Sequence, residues 1–518
     1  MGIFNQRSTV RKRLESHKDA TLNYEGELAF KLDPLTDLYI RVASRLVGQD
    51  KFYESGKIAD IELLNSIKKV LDIDPEFVLQ LAVYCRENLY LRSVPMLLLA
   101  EFANSDKIGK VPYARDYVTR TIQRADELTE LMAYQFARCK ITKCNTKLPS
   151  MIRYGIRNAF SKFNEYQFAK YNRDGEVKLR DAMFLTRPEP LSEDRKILYK
   201  KIAENELDIP ETWEVMRSTG RMTWHDVINV IFHKDGKINN YMAQLRNIRN
   251  CLQDKTVTND DVLLLCKMLS DEKAVLNSKQ IPFRFLSAYR EVANMSPTAH
   301  LAPQVMDALE TAVSYSINNI PKLNGTTLIA CDVSGSMNIP VSKNSKVENW
   351  DIGIVLGMIA HKFCDQSITG IFGTDWKPVA LAKYSSGILA NSMKLHSISN
   401  EVGWSTNGYK VIKYLLDTNT QVERIMIFTD CQLWNTYENG YTTGQSFADL
   451  FVKYQHTYPN VKLYCFDLSG YGNVMIPQDN KGVCLIGGWS DKVFDFIGAF
   501  ESLGKNTVID KIKAIKPR

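Results

Sequence analysis

The chain has little that would anchor, export or cross-link it. No apolar run approaches the roughly 18 residues that a membrane-spanning helix needs, and in the opening MGIFNQRSTVRKR no hydrophobic segment follows the basic residues. A soluble, cytoplasmic protein without membrane contact is expected. Gly2 makes no myristoylation signal, because Gln6 stands where Ser or Thr is wanted. The ten cysteines are dispersed and include no CxxC pair, which argues for reduced thiols and against structural zinc. Histidine is scarce: the seven, at 17, 225, 233, 300, 361, 396 and 456, fall in no recognisable catalytic pattern. No catalytic residue is assigned, and a noncatalytic protein is expected.

A formal net charge of +7 is mild for 518 residues, but its distribution is uneven. Between Arg138 and Arg180 there are eleven Lys or Arg against three acids, an excess larger than that of the whole chain. In KLPSMIRYGIRNAFSKFNEYQFAKYNRDGEVKLRDAMFLTRPEP, residues 147–190, the cations are interleaved with Tyr154, Phe160, Phe163, Tyr166, Phe168 and Tyr171. Arg153 and Arg157 stand four apart on one helical face, Lys162 follows, and Lys178 and Arg180 open the next helix. Such a surface neutralises phosphates, and exposed aromatics stack unpaired bases. An aromatic core under a solvated positive face would read the same way, so composition alone leaves both open.

The length favours several units rather than one core. Residues 1–30 are polar and basic, and read as a tail or a strap across a neighbouring surface. From Leu35 to about Asn319 the apolar residues recur at helical spacing, as in IADIELLNSIKKVLDI, 58–73. Pro75 suits the first turn of a helix and Pro95 marks a break before the next. Further helices fit 112–123, 126–138, 148–163, 178–185, 192–203, 223–232, 237–252, 259–270, 282–294 and 303–317, a succession that suggests a solenoid without a crisp period. The pair Trp224-His225 opens one of these helices and reads as packing and capping. After Pro321, β-rich runs TTLIACDV, SITGIFG, ERIMIFTD, VKLYCFDL and GVCLIGG alternate with helical stretches at 347–365, 407–416, 445–455 and 490–501. That alternation is the pattern of a doubly wound α/β domain over 321–518, after a helical domain over 31–320.

The run Leu328-Ile329-Ala330-Cys331 ends in Asp332-Val333-Ser334-Gly335-Ser336. A buried strand would deliver these oxygens to its carboxyl end, where open α/β sheets bind ligands. ERIMIFTD ends at Asp430, and GWSTNG sets Thr406 before another helix. Carboxylates and hydroxyls without imidazole or thiolate suit a hard divalent cation such as Mg²⁺. Ser and Asp also cap helices and turn chains, which is the plainer alternative. Together Asp332, Ser334, Ser336, Thr406 and Asp430 resemble the metal-ion-dependent adhesion site of the von Willebrand factor A module. The family's Gly-Gly-Thr is replaced by Trp404-Ser405-Thr406, so Trp404 is expected to shape the opening.

The 148–190 segment, with MAQLRNIRNCL at 242–252, KQIPFRFLSAYREV at 279–292 and NYEGELAFKL at 23–32, is similar to the TROVE module of the Ro ribonucleoprotein family. DVSGSMN at 332–338 resembles the start of the A domain that Ro proteins append. The resemblance implies a monomeric ring of HEAT-like helical repeats closed by the Rossmann-like A domain. It implies small noncoding Y RNA on the outer basic surface and single-stranded 3′ ends of misfolded RNAs in the central hole, hence a role in RNA quality control. Lys170, Arg173, Lys178, Arg180 and Arg187 match the family's RNA-contact segment, while Arg157, Arg246 and Arg284 match motifs lining the hole. Arg187 stands where several relatives have His, and Asp174 falls in a turn that is more basic in some of them. An exoribonuclease or another protein is implied as a partner through the A domain. A metal-dependent protein-interaction module with no RNA role is the competing function.

Overall fold

The computed structural model describes residues 17–517 except 45–55, 143–147, 173–174, 209–211, 296–300, 318–319, 321, 343–344, 382–386, 435–436, 439–440, 443–444, 490–492, 495–496, 498–499 and 502–506. Compaction divides the chain into two units that do not follow it in order. One gathers Met1–Arg45, Gln49–Lys57 and Arg217–Thr507; the other gathers Leu46–Gly48, Ile58–Met216 and Val508–Arg518. The compact units therefore do not part near residue 320, where the sequence pattern changes. Helices Tyr241–Gln253, Asn259–Leu269, Pro282–Ala293 and Ala302–Ser316 belong with the sheet that follows them.

The unit centred on 58–216 is helical among its described residues. Asp74 starts helix Pro75–Glu87 by accepting the amide of Phe77, with Pro75 in the first turn where its missing N–H costs nothing. The break expected at Pro95 falls earlier, at 88–92, and Pro95 lies within the first turn of helix Ser93–Ala103. Helix Ser150–Ala159 lies close against Ala114–Thr121 because residue 155 is glycine: a Cβ there would come within 2.4 Å of Val118. The fully buried Glu127 is satisfied by Arg86 at 2.9 Å and by the amides of Gln123 and Arg124 at 2.8 and 3.1 Å. Losing Arg86 would leave a buried charge unpaired, a cost of about 3–5 kcal/mol. The last described residues are seated on these helices: Gln80 donates to the carbonyls of Lys513 and Ile515, and Arg120 to that of Lys516.

In the other unit, apart from two small two-stranded pairings within 233–238 and 437–442, the strands are β1 (Ala20–Leu22), β2 (Leu28–Lys31), β3 (Leu323–Asp332), β4 (Cys364–Phe372), β5 (Trp376–Pro378), β6 (Arg424–Thr429), β7 (Lys462–Asp467), β8 (Asn473–Val474) and β9 (Val483–Gly487). Six form one sheet in the order β9-β7-β6-β3-β4-β5, parallel except where β5 runs antiparallel beside β4. Strand order reverses between β3 and β6. The apolar residues of β3 are fully buried from Leu328 to Cys331, and each large one contributes about 1.5–3 kcal/mol. Helix Asn349–Phe363 packs on the sheet so closely that a Cβ at Gly357 would come within 2.5 Å of the Cys331 sulfur. Its buried Asp351 is held by Arg290 of helix Pro282–Ala293, with Nη1 2.7 Å from Oδ2.

Of the segment 1–30 expected as a tail or strap, residues 1–16 lie outside the described residues and residues 17–30 are part of this unit. β1 and β2 form a hairpin, and β2 pairs with β8, Phe30 opposite Val474. Asp33 then caps helix Pro34–Ala43 by accepting the amides of Leu35 and Thr36. The Tyr39 hydroxyl donates to the Gly487 carbonyl at 2.7 Å and the Ser44 hydroxyl to that of Asp467 at 2.6 Å. These are the carboxyl ends of β9 and β7, so the N-terminal segment covers that side of the sheet's ligand-facing edge.

Candidate functional site

The switch in strand order sets Asp332, the last residue of β3, beside Asp430, which follows β6. Asp332 Oδ1 accepts the amide of Ser334 at 2.9 Å, and Oδ2 accepts the Thr429 hydroxyl at 2.5 Å. The Ser334 and Ser336 hydroxyl oxygens are 3.3 Å apart. Ser334 places no side-chain cap on the short 3-10 turn Gly335–Met337, so the plain capping role does not account for it. Asp430 Oδ1 accepts the amide of Gln432 at 3.0 Å, while Oδ2 has no hydrogen-bond partner among the described residues. Thr406 is buried in the loop across from them, and its carbonyl accepts the amide of Trp434 at 2.9 Å.

Burial pushes the carboxyls of Asp332 and Asp430 up, and for Asp430 the Asp332 charge adds to the effect, while the Gln432 amide and the Ser336 hydroxyl, which lies near the carboxylate without reaching hydrogen-bond geometry with Oδ2, work against it. Two desolvated carboxylates, one with an oxygen left without a donor, are costly without a cation. The surrounding donors are all oxygens, which fits a hard divalent ion. No cluster of three or more His, Cys, Asp or Glu able to hold a metal occurs among the described residues, and Mg²⁺, which keeps several waters, does not require one. Trp404 is half exposed beside this loop, its carbonyl accepting the Gly335 amide at 2.9 Å and its ring 5.9 Å from Trp350. Ser405 is held by its amide on the Thr374 hydroxyl.

The basic stretch separates into parts that sequence could not distinguish. Phe160, Phe163 and Phe168 are buried and pack on one another, whereas Tyr154 and Tyr166 are exposed. Lys170 lies 5.8 Å from the Tyr166 ring and 5.9 Å from that of Tyr171, Arg153 lies 4.8 Å from Tyr154, and Arg180 lies 5.6 Å from the exposed Phe184. Lys178 and Arg180 stand exposed at the start of helix Leu179–Thr186, and Arg187 ends it in the left-handed region, φ 50°. Phe184, Arg187, Pro188, Pro190, Lys196 and Tyr199 line an open cleft of about 510 Å³. Arg157 reaches Glu189 at 3.1 Å. Lys162 is committed elsewhere: its ammonium donates to the carbonyls of Thr119 and Ile122. Arg173 lies outside the described residues.

In the sheet-containing unit, Arg246 and Arg284 line one cleft of about 280 Å³ with Arg249, Gln280 and Glu291. Among the described residues neither Arg246 nor Arg284 has a carboxylate partner, whereas Glu291 is engaged by Lys346 and Arg249. Partial burial and the neighbouring Arg246 lower the pKa of Arg284, although its side chain keeps an exposed edge. Like charges held together in this way make a site for an anion. Trp224 is buried and Thr223 caps its helix, as packing and capping require, while His225 Nδ1 lies 2.8 Å from Asp261.

A model of the TROVE domain matches residues 43–207 and 204–297. Over 89% of this chain and 99% of the other, the fold is similar to that of the Deinococcus radiodurans Ro (RSR) crystal structure, with a TM-score of 0.60 and 16% identity, so the likeness is one of fold. The chain is a Ro/TROVE family protein. The telomerase protein component 1 of Rattus norvegicus is 23% identical across 86% of this Ro/TROVE chain, and that of Mus musculus is 23% identical across 48% of it. The chain spans only 22% and 12% of those relatives' lengths. Membership in a ribonucleoprotein family supports RNA binding.

Three features of the Ro/TROVE chain escaped the sequence reading. Asp467 ends β7 as Asp332 ends β3, and its charge also raises Asp430; the ending FDL of VKLYCFDL was the available signal. Gln432 and the hairpin that reaches it had none, because the partners are 408 residues apart.

Proposed function

We propose that this protein is a noncatalytic RNA-binding component that holds a small structured RNA of the Y type and the single-stranded 3′ ends of misfolded RNAs, serving RNA quality control as a ribonucleoprotein. The observation that carries the reading is the Arg246–Arg284 cleft, where two guanidiniums that have no carboxylate partner among the described residues converge beside Ser287 and Asn250. Phosphates of a flexible strand supply the charge that such a pair wants, and single strands are selected there by shape and charge more than by sequence. Half-buried Lys170 and exposed Lys178, Arg180 and Arg187, together with the exposed Phe184 and Tyr166, suit backbone contact and base stacking in the helical unit. Arg153 and Arg157 extend that surface. Lys162 is better assigned to holding the end of helix Ala114–Thr121.

The sheet is proposed to be of the von Willebrand factor A type, with Asp332, Ser334, Ser336, Thr406 and Asp430 holding Mg²⁺. The unpartnered oxygen of Asp430 and the all-oxygen donor set support this. When bound, the ion supplies an open coordination position for an acidic side chain of a protein partner, an exoribonuclease being the class that would consume a held RNA. The helical part is proposed to be a HEAT-like ring, and the protein cytoplasmic.

Fluorescent RNAs test the RNA reading: a duplex with a single-stranded 3′ tail, the blunt duplex, and the same tailed design in DNA. The expected order is tailed RNA tightest, with affinity falling steeply as salt rises. Equal, salt-insensitive binding of all three, or none at low salt, would reject it.

A further inference from the structure

The loop that carries Asp430 is held from outside the sheet, by the N-terminal hairpin. Gln432 is fully buried, and its amide and both polar atoms of its side chain are used. Its amide donates to Asp430 Oδ1 at 3.0 Å, its side-chain Nε2 donates to the Asp430 carbonyl at 3.2 Å and to Asn473 Oδ1 at 3.0 Å, and its Oε1 accepts the amide of Tyr24 at 2.9 Å. One residue further on, the Leu433 carbonyl accepts the Asn23 side-chain amide at 2.7 Å. Asn23 also organises the hairpin turn, since its Oδ1 accepts the amides of Glu25 and Glu27. The other strand of the hairpin is tied down by β8, whose Asn473 is itself a partner of Gln432.

Between Asp430 and Gln432, Cys431 is buried with φ 63°, a left-handed conformation that a non-glycine residue keeps only when its surroundings enforce it. The enforcement comes from the hydrogen bonds just named. They occupy one oxygen of Asp430 and leave the other without a donor. If the hairpin left, Gln432 Oε1 and the Leu433 carbonyl would lose their partners, and the loop could relax out of its left-handed turn. The carboxylate would then no longer be aimed.

We infer that Gln432 is a positioning residue through which the N-terminal hairpin orients Asp430, so that cation binding at the sheet end and seating of residues 17–31 stabilise each other. The inference rests on the metal reading of the Asp332–Asp430 site. Coupling between two such events is reciprocal: if hairpin seating raises cation affinity by some factor, the cation raises hairpin seating by the same factor, commonly about 5- to 150-fold.

The test uses the full chain with Mn²⁺ as the probe, free ion being counted by EPR, and amide hydrogen exchange read over residues 17–31. In the wild type, saturating Mn²⁺ is expected to slow exchange at the Tyr24 amide by about tenfold. Asn23→Ala, which touches no proposed ligand, is expected to weaken Mn²⁺ binding by about the same factor, and Gln432→Ala to do so and to abolish the exchange response. Wild-type binding of Mn²⁺ with unchanged exchange in 17–31 overturns the inference, as does wild-type affinity in Asn23→Ala. If Gln432→Ala does not fold, the wild-type exchange experiment decides by itself. If the wild type binds no more Mn²⁺ than Asp332→Ala, the metal reading fails and takes the inference with it, an outcome distinct from binding without coupling.

Discussion

The carboxylate end of the sheet withdraws its chemistry from water, whereas the cations of the helical unit are mostly left in it. Asp332, Ser334 and Asp430 have no exposed surface at all; Lys178, Arg180 and Arg187 are exposed. A buried polar group is positioned by everything packed around it and cannot be lost gradually. Exposed cations are screened within about 8–10 Å at ordinary salt, and each contributes a small, roughly additive share. The first arrangement suits one small ion held by few ligands, the second a long polyanion touched at many points.

The comparison breaks most sharply at Asp332. Asp332→Ala is expected to lower Mn²⁺ affinity by about a hundredfold or more, since loss even of a group behind a ligand costs about 10- to 100-fold, while tailed-RNA affinity changes by less than about twofold. EPR and fluorescence titrations of one preparation check both halves. Next in size, Lys170→Ala and Arg180→Ala should each weaken RNA binding several-fold and reduce the slope of log K against log salt by about 0.7 per phosphate contact on a single strand. Mn²⁺ affinity should not move. Lys162→Met sharpens the division within the basic stretch: with the Thr119 and Ile122 carbonyls losing a donor, stability should fall by about 1 kcal/mol in urea titration, and RNA affinity should hold.

The smallest effect is a pH dependence. Hydrogen bonding to Asp261 raises the His225 pKa, and Asp261 sits at about 2, burial being outweighed by bonds from His225, Thr258 and Asn229. A raised imidazole gives stability that is present below its unfolded pKa and lost as pH rises through the folded one. A lowered carboxyl gives stability that is present above its unfolded pKa and lost as pH falls toward 2. The melting difference between wild type and His225→Ala should therefore be largest near pH 5 and shrink on both sides, which thermal melts across pH would show.

Much of this was legible in the sequence where the signal was local. Each of the five parallel strands ran as an apolar stretch, and two of them ended in the aspartates that mark the switch point. The helices at 165–171, 272–278 and 388–397 were missed because they are short or, like Ile388–Ser397, begin without a capping residue; there the half-buried Glu310 supplies the cap by accepting the amides of Leu389 and Ala390. In the aromatic stretch, spacing could not say that Phe160 and Phe168 form core while Tyr166 faces water, because tertiary packing decides it. The hairpin was illegible for the same reason: its strand partner Asn473 lies some 440 residues further along the chain.

The most direct test of the account replaces Arg246 and Arg284 together by Glu and follows tailed-RNA binding across salt concentrations. The account predicts loss of tail-dependent affinity and a salt slope lower by about 1.4, with the fold and Mn²⁺ binding retained. Unchanged tail-dependent binding with an unchanged slope would contradict it.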